Sequence, residues 1–169
     1  MNRVGASYAV AGAFAVNVWV AKERVRSTVD IDLYGRLSSE QIEKLQKLMA
    51  DEGIQLAHVS DLTMRKGLEI QRFLCLPDDI VLDLITARDP YGGEPLLHAV
   101  PTSVAEIEAS VLSPEDLILH KASANRPHDW TDIEAIRSAR GPELDLAYIE
   151  KWARSLRVWS RLKPKLRAP

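Results

Sequence analysis

The chain has 169 residues, 46% hydrophobic and 27% charged, with a formal net charge of −2 at pH 7. That is enough to bury a core in one domain, or in a small domain with a helical extension, and it excludes a protein that coats polyanions generically. The single cysteine, Cys75, excludes an intrachain disulfide; it sits in the apolar run Phe73-Leu74-Cys75-Leu76, where a thiol behaves as a small hydrophobe. With no charged leader and no apolar run long enough to span a bilayer, the expectation is a soluble protein of the reducing cytoplasm with no membrane partner.

In chain order, Tyr8 to Ala11 reads as a short strand that turns at Gly12 into a helix over roughly 13–21. The segment Arg26-Ser27-Thr28-Val29-Asp30-Ile31-Asp32-Leu33 follows as an acidic strand, with Val29, Ile31 and Leu33 expected on the buried face. Ser38 and Gln41 have the spacing of a capping box, Ile42, Leu45, Leu48 and Met49 form an apolar face, and Gly53 stops a helix near 39–52. Short strands are predicted over 54–59, 68–76 and 80–86, with Pro77-Asp78-Asp79 as a turn. Ser113-Pro114-Glu115-Asp116 combines a cap, a first-turn proline and first-turn acids, and opens a helix to about Ala124. Pro127 ends or interrupts that helix. A second runs from Asp129 to Arg140, Gly141-Pro142 punctuates, and a third buries Leu146, Ile149, Trp152, Ala153 and Leu156. From Arg154 onward there is no acid and six basic residues, a tail that suits either a solvated terminus or a phosphate backbone.

The chemistry concentrates in a few places. Asp30 and Asp32 alternate with apolar residues, so on a strand both emerge on one face about 6.5–7 Å apart. Two like charges so placed repel unless a cation lies between them, which points to a divalent metal; a strand end with solvated acids fits the same spacing. Gly12 and Ala13 stand where a strand passes into a helix, a turn that exposes backbone N–H groups to an anion, or that is simply tight. Asp83 is the sole charge in Ile80-Val81-Leu82-Asp83-Leu84-Ile85. If that strand neighbours the acidic one, three acids converge on a site able to hold two divalent ions. Lys121, Arg126, Asp129 and Asp132 follow within a short span. Lys121 suits phosphate neutralisation and Asp129 suits orientation of a base, ribose or lysine, while a surface lysine and a helix cap are the structural alternatives.

Taken together, Tyr8-Ala9-Val10-Ala11-Gly12-Ala13-Phe14-Ala15-Val16, the Arg26 to Leu33 segment, Leu112-Ser113-Pro114-Glu115-Asp116-Leu117-Ile118-Leu119-His120-Lys121 and Arg126-Pro127-His128-Asp129-Trp130-Thr131-Asp132-Ile133 resemble a known family over nearly the whole chain. It is similar to the minimal nucleotidyltransferases of the DNA polymerase β superfamily, of the AbiEii toxin type. The resemblance implies an α/β (α+β) nucleotidyltransferase fold, a short mixed sheet with flanking helices, with a core over 1–112 and a C-terminal helical portion over 113–169 packed on it as one compact unit. It implies Mg²⁺ on Asp30 and Asp32 with Asp83 as the third acid, a phosphate turn at Gly12 and Ala13, Lys121 and Asp129 as later active-site residues, and Arg26 and Arg126 lining the nucleotide pocket. The implied reaction moves a nucleoside monophosphate from an NTP to an acceptor hydroxyl. The acceptor it implies is an RNA such as tRNA, and the setting a toxin–antitoxin or phage-defence system with a cognate antitoxin. Where the family carries Gly-Gly or Gly-Ser at the turn, this chain has Ala13, which removes a hydroxyl donor and adds a methyl group.

Two other readings share these residues. A small-molecule nucleotidyltransferase acting on an aminoglycoside or lincosamide antibiotic has the same front motif and an acidic pocket rim. A non-catalytic nucleotide- or partner-binding module is what Ala13 favours, and what the retention of both aspartates and Lys121 opposes.

Overall fold

The computed structural model describes residues 1–20, 25, 27–28, 30–64, 68–87, 90–104 and 107–167. It is a mixed α/β fold built on one seven-stranded sheet. The strands are β1 (Tyr8–Val10), β2 (Ile31–Gly35), β3 (Gln55–Met64), β4 (Leu68–Leu76), β5 (Ile80–Ala87), β6 (Val100–Val104) and β7 (Ile107–Val111). Their spatial order is β3-β4-β5-β2-β1-β7-β6, with β5/β2 and β1/β7 parallel and the other neighbours antiparallel. The sheet is wider than the sequence reading because β6 and β7 carry Pro101, Thr102, Ser103, Glu108 and Ser110, too polar to register as strands by apolar alternation.

The helices are α1 (Gly12–Trp19), α2 (Ser39–Asp51), α3 (Glu94–Leu97), α4 (Pro114–Ala124), α5 (Pro127–Arg140), α6 (Leu146–Ser155) and α7 (Trp159–Arg167). Their ends follow from local chemistry. The Ser38 hydroxyl accepts from the Gln41 N–H while the Gln41 side chain accepts from the Ser38 N–H, closing the expected capping box on α2. Ser113 caps α4 by accepting from the Asp116 N–H, and Asn125 ends it in the left-handed region at φ 59°. Pro127 does not interrupt a helix; it occupies the first position of α5, where a missing N–H costs nothing, so α5 begins two residues before the expected Asp129.

The two faces of the sheet are covered unequally. On one, Leu33, Leu56, Phe73, Cys75, Leu82 and Leu84 pack under α2 through Ile42, Leu45 and Met49. On the other, a larger core joins α1, α4, α5, α6 and α7 to β1 and β7 through residues such as Ala9, Val16, Val111, Ile118, Ile133, Ile149 and Leu162. At burial energies of about 1.5–3 kcal/mol per large apolar side chain, this second cluster dominates the stability of the chain. A polar knot lies within it. The buried Asp116 carboxylate accepts from the hydroxyls of Tyr91, Tyr148 and Ser113 at 2.7, 2.8 and 2.9 Å, tying three separate segments together.

The acidic strand departs from expectation in one respect. β2 starts at Ile31, so Asp30 precedes it, exposed, and Ile31 is 40% exposed rather than buried. Leu146 is 52% exposed, because α6 turns its Ile149, Trp152 and Ala153 face inward and leaves its first residue at the rim. Val29 and Arg26 lie outside the described residues.

Candidate functional site

β1 ends at Val10, and Gly12 then opens α1 with φ +60°, a conformation that L side chains rarely adopt. The Ala11 N–H donates to the Asp32 carbonyl at 2.8 Å, which pins this turn to the start of β2. A Cβ at position 12 would lie 1.7 Å from Oδ2 of Asp32, so the carboxylate occupies the space that glycine leaves open. The backbone N–H groups of Gly12, Ala13 and Phe14 belong to the first turn and have no intrahelical acceptor. Ala13 is itself buried.

Parallel pairing sets Asp32 of β2 beside Asp83 of β5, and antiparallel pairing sets Asp83 beside Arg72 of β4. Residues in register share a face, so Arg72, Asp83 and Asp32 form a row across three strands, each about 4.8 Å from the next. Arg72 forks Asp83: Nε donates to Oδ1 at 2.8 Å and Nη2 to Oδ2 at 2.6 Å. Burial raises the pKa of Asp32; Asp83 and Asp30 raise it further, while Lys121 and Arg126 pull it down. Asp30 is therefore electrostatically part of the same wall, although exposed.

The facing wall comes from α4 and α5. Lys121 is buried, with Nζ 2.7 Å from Oδ2 of Asp132 and 3.5 Å from Oδ1 of Asp129. Asp129 is fully buried and accepts three hydrogen bonds from Arg126: its backbone N–H at 2.8 Å, Nε at 2.9 Å and Nη2 at 3.1 Å. Burial alone would raise the Asp129 carboxyl, yet the Arg126 bonds and the Lys121 charge outweigh it and lower its pKa. Hydrogen bonding to Asp129 raises the pKa of the Arg126 guanidinium in turn.

Between the walls is a cleft of about 190 Å³ lined by Gly12, Asp32, Arg72, Asp83, Lys121 and Arg126, with His120 in its lining as well. The structure thus brings Gly12, Asp32, Asp83, Lys121 and Arg126 to one cavity, with Asp129 behind the cations and Asp30 beside Asp32. Arg26 lies outside the described residues. A larger cleft of about 400 Å³ opens at the other end of β1, near Ser7, Tyr8 and Glu108, and lacks any comparable pairing of acids with cations.

Sequence reasoning assigned no role to Arg72, His120 or Asp132. Arg72 and Asp83 are lone charges of opposite sign on apolar faces of consecutive strands, a signal that antiparallel pairing would have turned into a contact. His120 packs its ring 4.8 Å from that of Tyr34, and burial next to Lys121 lowers its pKa to about 4, so it stays neutral. Its Nε2 is buried without a hydrogen-bond partner.

Among the described residues, no group of three or more His, Cys, Asp and Glu side chains is set to hold a metal ion unaided. Asp32, whose pKa is raised by burial, Asp83 and Asp30 and only partly offset by Lys121 and Arg126, stands with Asp30 beside the first turn of α1, and such a pair fits Mg²⁺, which binds through one or two carboxylates and completes its shell with phosphate oxygens and water.

Comparison with curated proteins finds no match. Among solved structures, an antigenic nucleotidyltransferase-like protein from Paracoccidioides brasiliensis is similar over 99% of this chain and 87% of its own, at 17% identity and a TM-score of 0.51. A candidate nucleotidyltransferase from Thermotoga maritima aligns over 92% of this chain and 83% of its own, at 14% identity and a TM-score of 0.41, a likeness too low to carry argument. The first of these supports the fold read from the strand order. Residues 4–162 match the family described as nucleotidyltransferase of unknown function (DUF6036), and the chain belongs to that family.

Proposed function

We propose that this protein catalyses Mg²⁺-dependent transfer of a nucleoside monophosphate from an NTP to an acceptor hydroxyl, with release of pyrophosphate. The observation that carries the reading is the close approach of Gly12 to the Asp32 carboxylate, which sets the first turn of α1 beside that acid in a cleft with cations on its far side. Magnesium, when bound, supplies Lewis-acid polarisation of the phosphate and neutralises developing charge. Asp30 and Asp32 are the residues to hold it, with Asp83 adding to the negative wall. The N–H groups of Gly12 and Ala13 receive a phosphate oxygen at the positive end of α1. Lys121 and Arg126 meet the charge of the leaving pyrophosphate, and Asp129 holds both at a fixed position. Alanine at position 13 keeps its backbone N–H, so the turn retains its donors without a side-chain hydroxyl.

For the acceptor, the motif resemblance supports an RNA such as tRNA, and with it a toxin role balanced by an antitoxin. A second reading, a small-molecule acceptor, is favoured by the C-terminal segment: α7 is packed through the buried Leu162, Arg161 donates to the Ala122 carbonyl, and Lys165 pairs with Glu134. The test is incubation with each α-³²P NTP, Mg²⁺ and total bacterial RNA, with the Asp30→Ala/Asp32→Ala variant as control. Label in an RNA band only with the intact pair supports RNA nucleotidylation. Magnesium-dependent nucleotide binding without labelled RNA moves the acceptor to a small molecule. Equal labelling by the double variant defeats the mechanism.

A further inference from the structure

Asp83 differs from Asp30 and Asp32 because its charge is already answered. One guanidinium takes a hydrogen bond to each of its oxygens, in the side-on fork that is the strongest arrangement available to a carboxylate and an arginine. Asp83 itself is buried, so the fork is shielded from competing water, whereas the Arg72 side chain is 38% exposed. The fork uses Nε and Nη2 of Arg72; Nη1 makes no hydrogen bond among the described residues and belongs to a side chain that lines the cleft. Asp30 and Asp32 both lie close enough to Arg72 to act on its charge.

The charge balance follows. Three carboxylates against one guanidinium leave two uncompensated negative charges in this wall, which one divalent cation cancels. Without Arg72 there would be a third, and a second cation would be favoured, as in sites that use paired metals. Each Asp83 oxygen already spends one lone pair on the fork, at 2.6 and 2.8 Å, so a cation on Asp83 would have to share that carboxylate with the guanidinium charge.

We propose that Arg72 takes the place of a second divalent cation: it holds Asp83 out of the coordination sphere and presents its free guanidinium edge to the anionic ligand of the cleft, leaving one cation position at Asp30 and Asp32. This rests on the reading of Asp30 and Asp32 as cation ligands. Arg72 is then both a positioning residue for Asp83 and a direct contact for phosphate.

The test is titration of the purified protein with Mn²⁺ alone, counting bound ions by loss of the free-ion electron paramagnetic resonance signal. Wild type binds one ion and Asp32→Asn binds none. Asp83→Asn frees Arg72 beside Asp30 and Asp32 and leaves one net negative charge in this wall, so it binds no more than one ion, and more weakly than wild type. Arg72→Gln takes up a second ion. Since Arg72→Gln strands a buried carboxylate, Arg72→Gln/Asp83→Asn supplies a neutral pair in its place, and it binds one ion as wild type does. Two ions on wild type with one lost in Asp83→Asn, or a single ion on folded Arg72→Gln, overturns the role of Arg72 while sparing Asp30 and Asp32. An affinity loss of about tenfold in the double variant does the same. No ion on wild type overturns both.

Discussion

The two walls of the cleft carry similar numbers of charges and treat them in opposite ways. On the helical wall, Lys121 lies between Asp132 and Asp129, and Asp129 is forked by Arg126, so buried charge meets buried charge at hydrogen-bonding distance. On the sheet wall, Asp32 is pushed up by burial and by its neighbour Asp83, and Asp30 stands in solvent with no cation paired to it among the described residues. The first wall is complete without a ligand; the second is not. Stability therefore resides with the cations and their partners, and the capacity to bind resides with the acids.

The contrast breaks most visibly at Asp129. Asp129→Ala removes the acceptor of three Arg126 hydrogen bonds and one of the two carboxylates at Lys121, which keeps Asp132, and is expected to cost about 2–3 kcal/mol in urea denaturation. Asp30→Ala, exposed on the opposite wall, should change stability by no more than about 0.5 kcal/mol. Equal losses at the two positions would erase the distinction between the walls.

His120 offers a pH test of the helical wall. Its folded pKa of about 4 is below the ordinary 6.5, so above pH 6.5 the native state loses nothing, and as pH falls the unfolded chain takes up a proton that the native state resists. Stability should fall by about 3 kcal/mol between pH 7 and pH 4 from this residue alone. His120→Phe should flatten that part of the profile, measured by denaturation at each pH.

Gly12→Ala comes next, at about 1–3 kcal/mol, because the new Cβ meets Oδ2 of Asp32 and the backbone is held at positive φ. A crystal structure of this variant should have Asp32 displaced. The smallest effect has the opposite sign. Asp32 has a folded pKa above its unfolded one, so its ionisation works against the native state as pH rises through that range. Asp32→Asn should match wild type near pH 3 and exceed it in stability at pH 7, while losing nucleotidyl transfer. A less stable Asp32→Asn at neutral pH would mean that the acid is structurally required.

Legibility in the sequence tracked the range of the interaction. The caps at Ser38 and Ser113 are written within four residues and were readable as such, as were the strands 68–76 and 80–86, whose apolar alternation is local. The neighbourhood of Asp32 and Asp83 could be posed as a condition on strand order, and the parallel register of β2 and β5 meets it. What stayed hidden depends on pairing between distant segments. The fork of Arg72 on Asp83 needs the register of β4 against β5, the burial of Asp129 needs α5 to pack beside α4, and β6 and β7 become strands only because β1 offers them an edge. The polar knot at Asp116 looked like a helix cap alone, since Tyr91 and Tyr148 are 25 and 32 residues away.

The pairing within α6 and α7 has a consequence for how a long polyanion would be held. Arg154 is paired with Glu150 and Lys165 with Glu134, so two of the basic residues there already meet an acid. A cation already neutralised in place displaces few condensed counterions when a phosphate backbone approaches it. Any nucleic acid this protein holds should therefore show a salt dependence shallower than the six basic residues of its C-terminal segment would suggest, and its affinity should come from what enters the cleft.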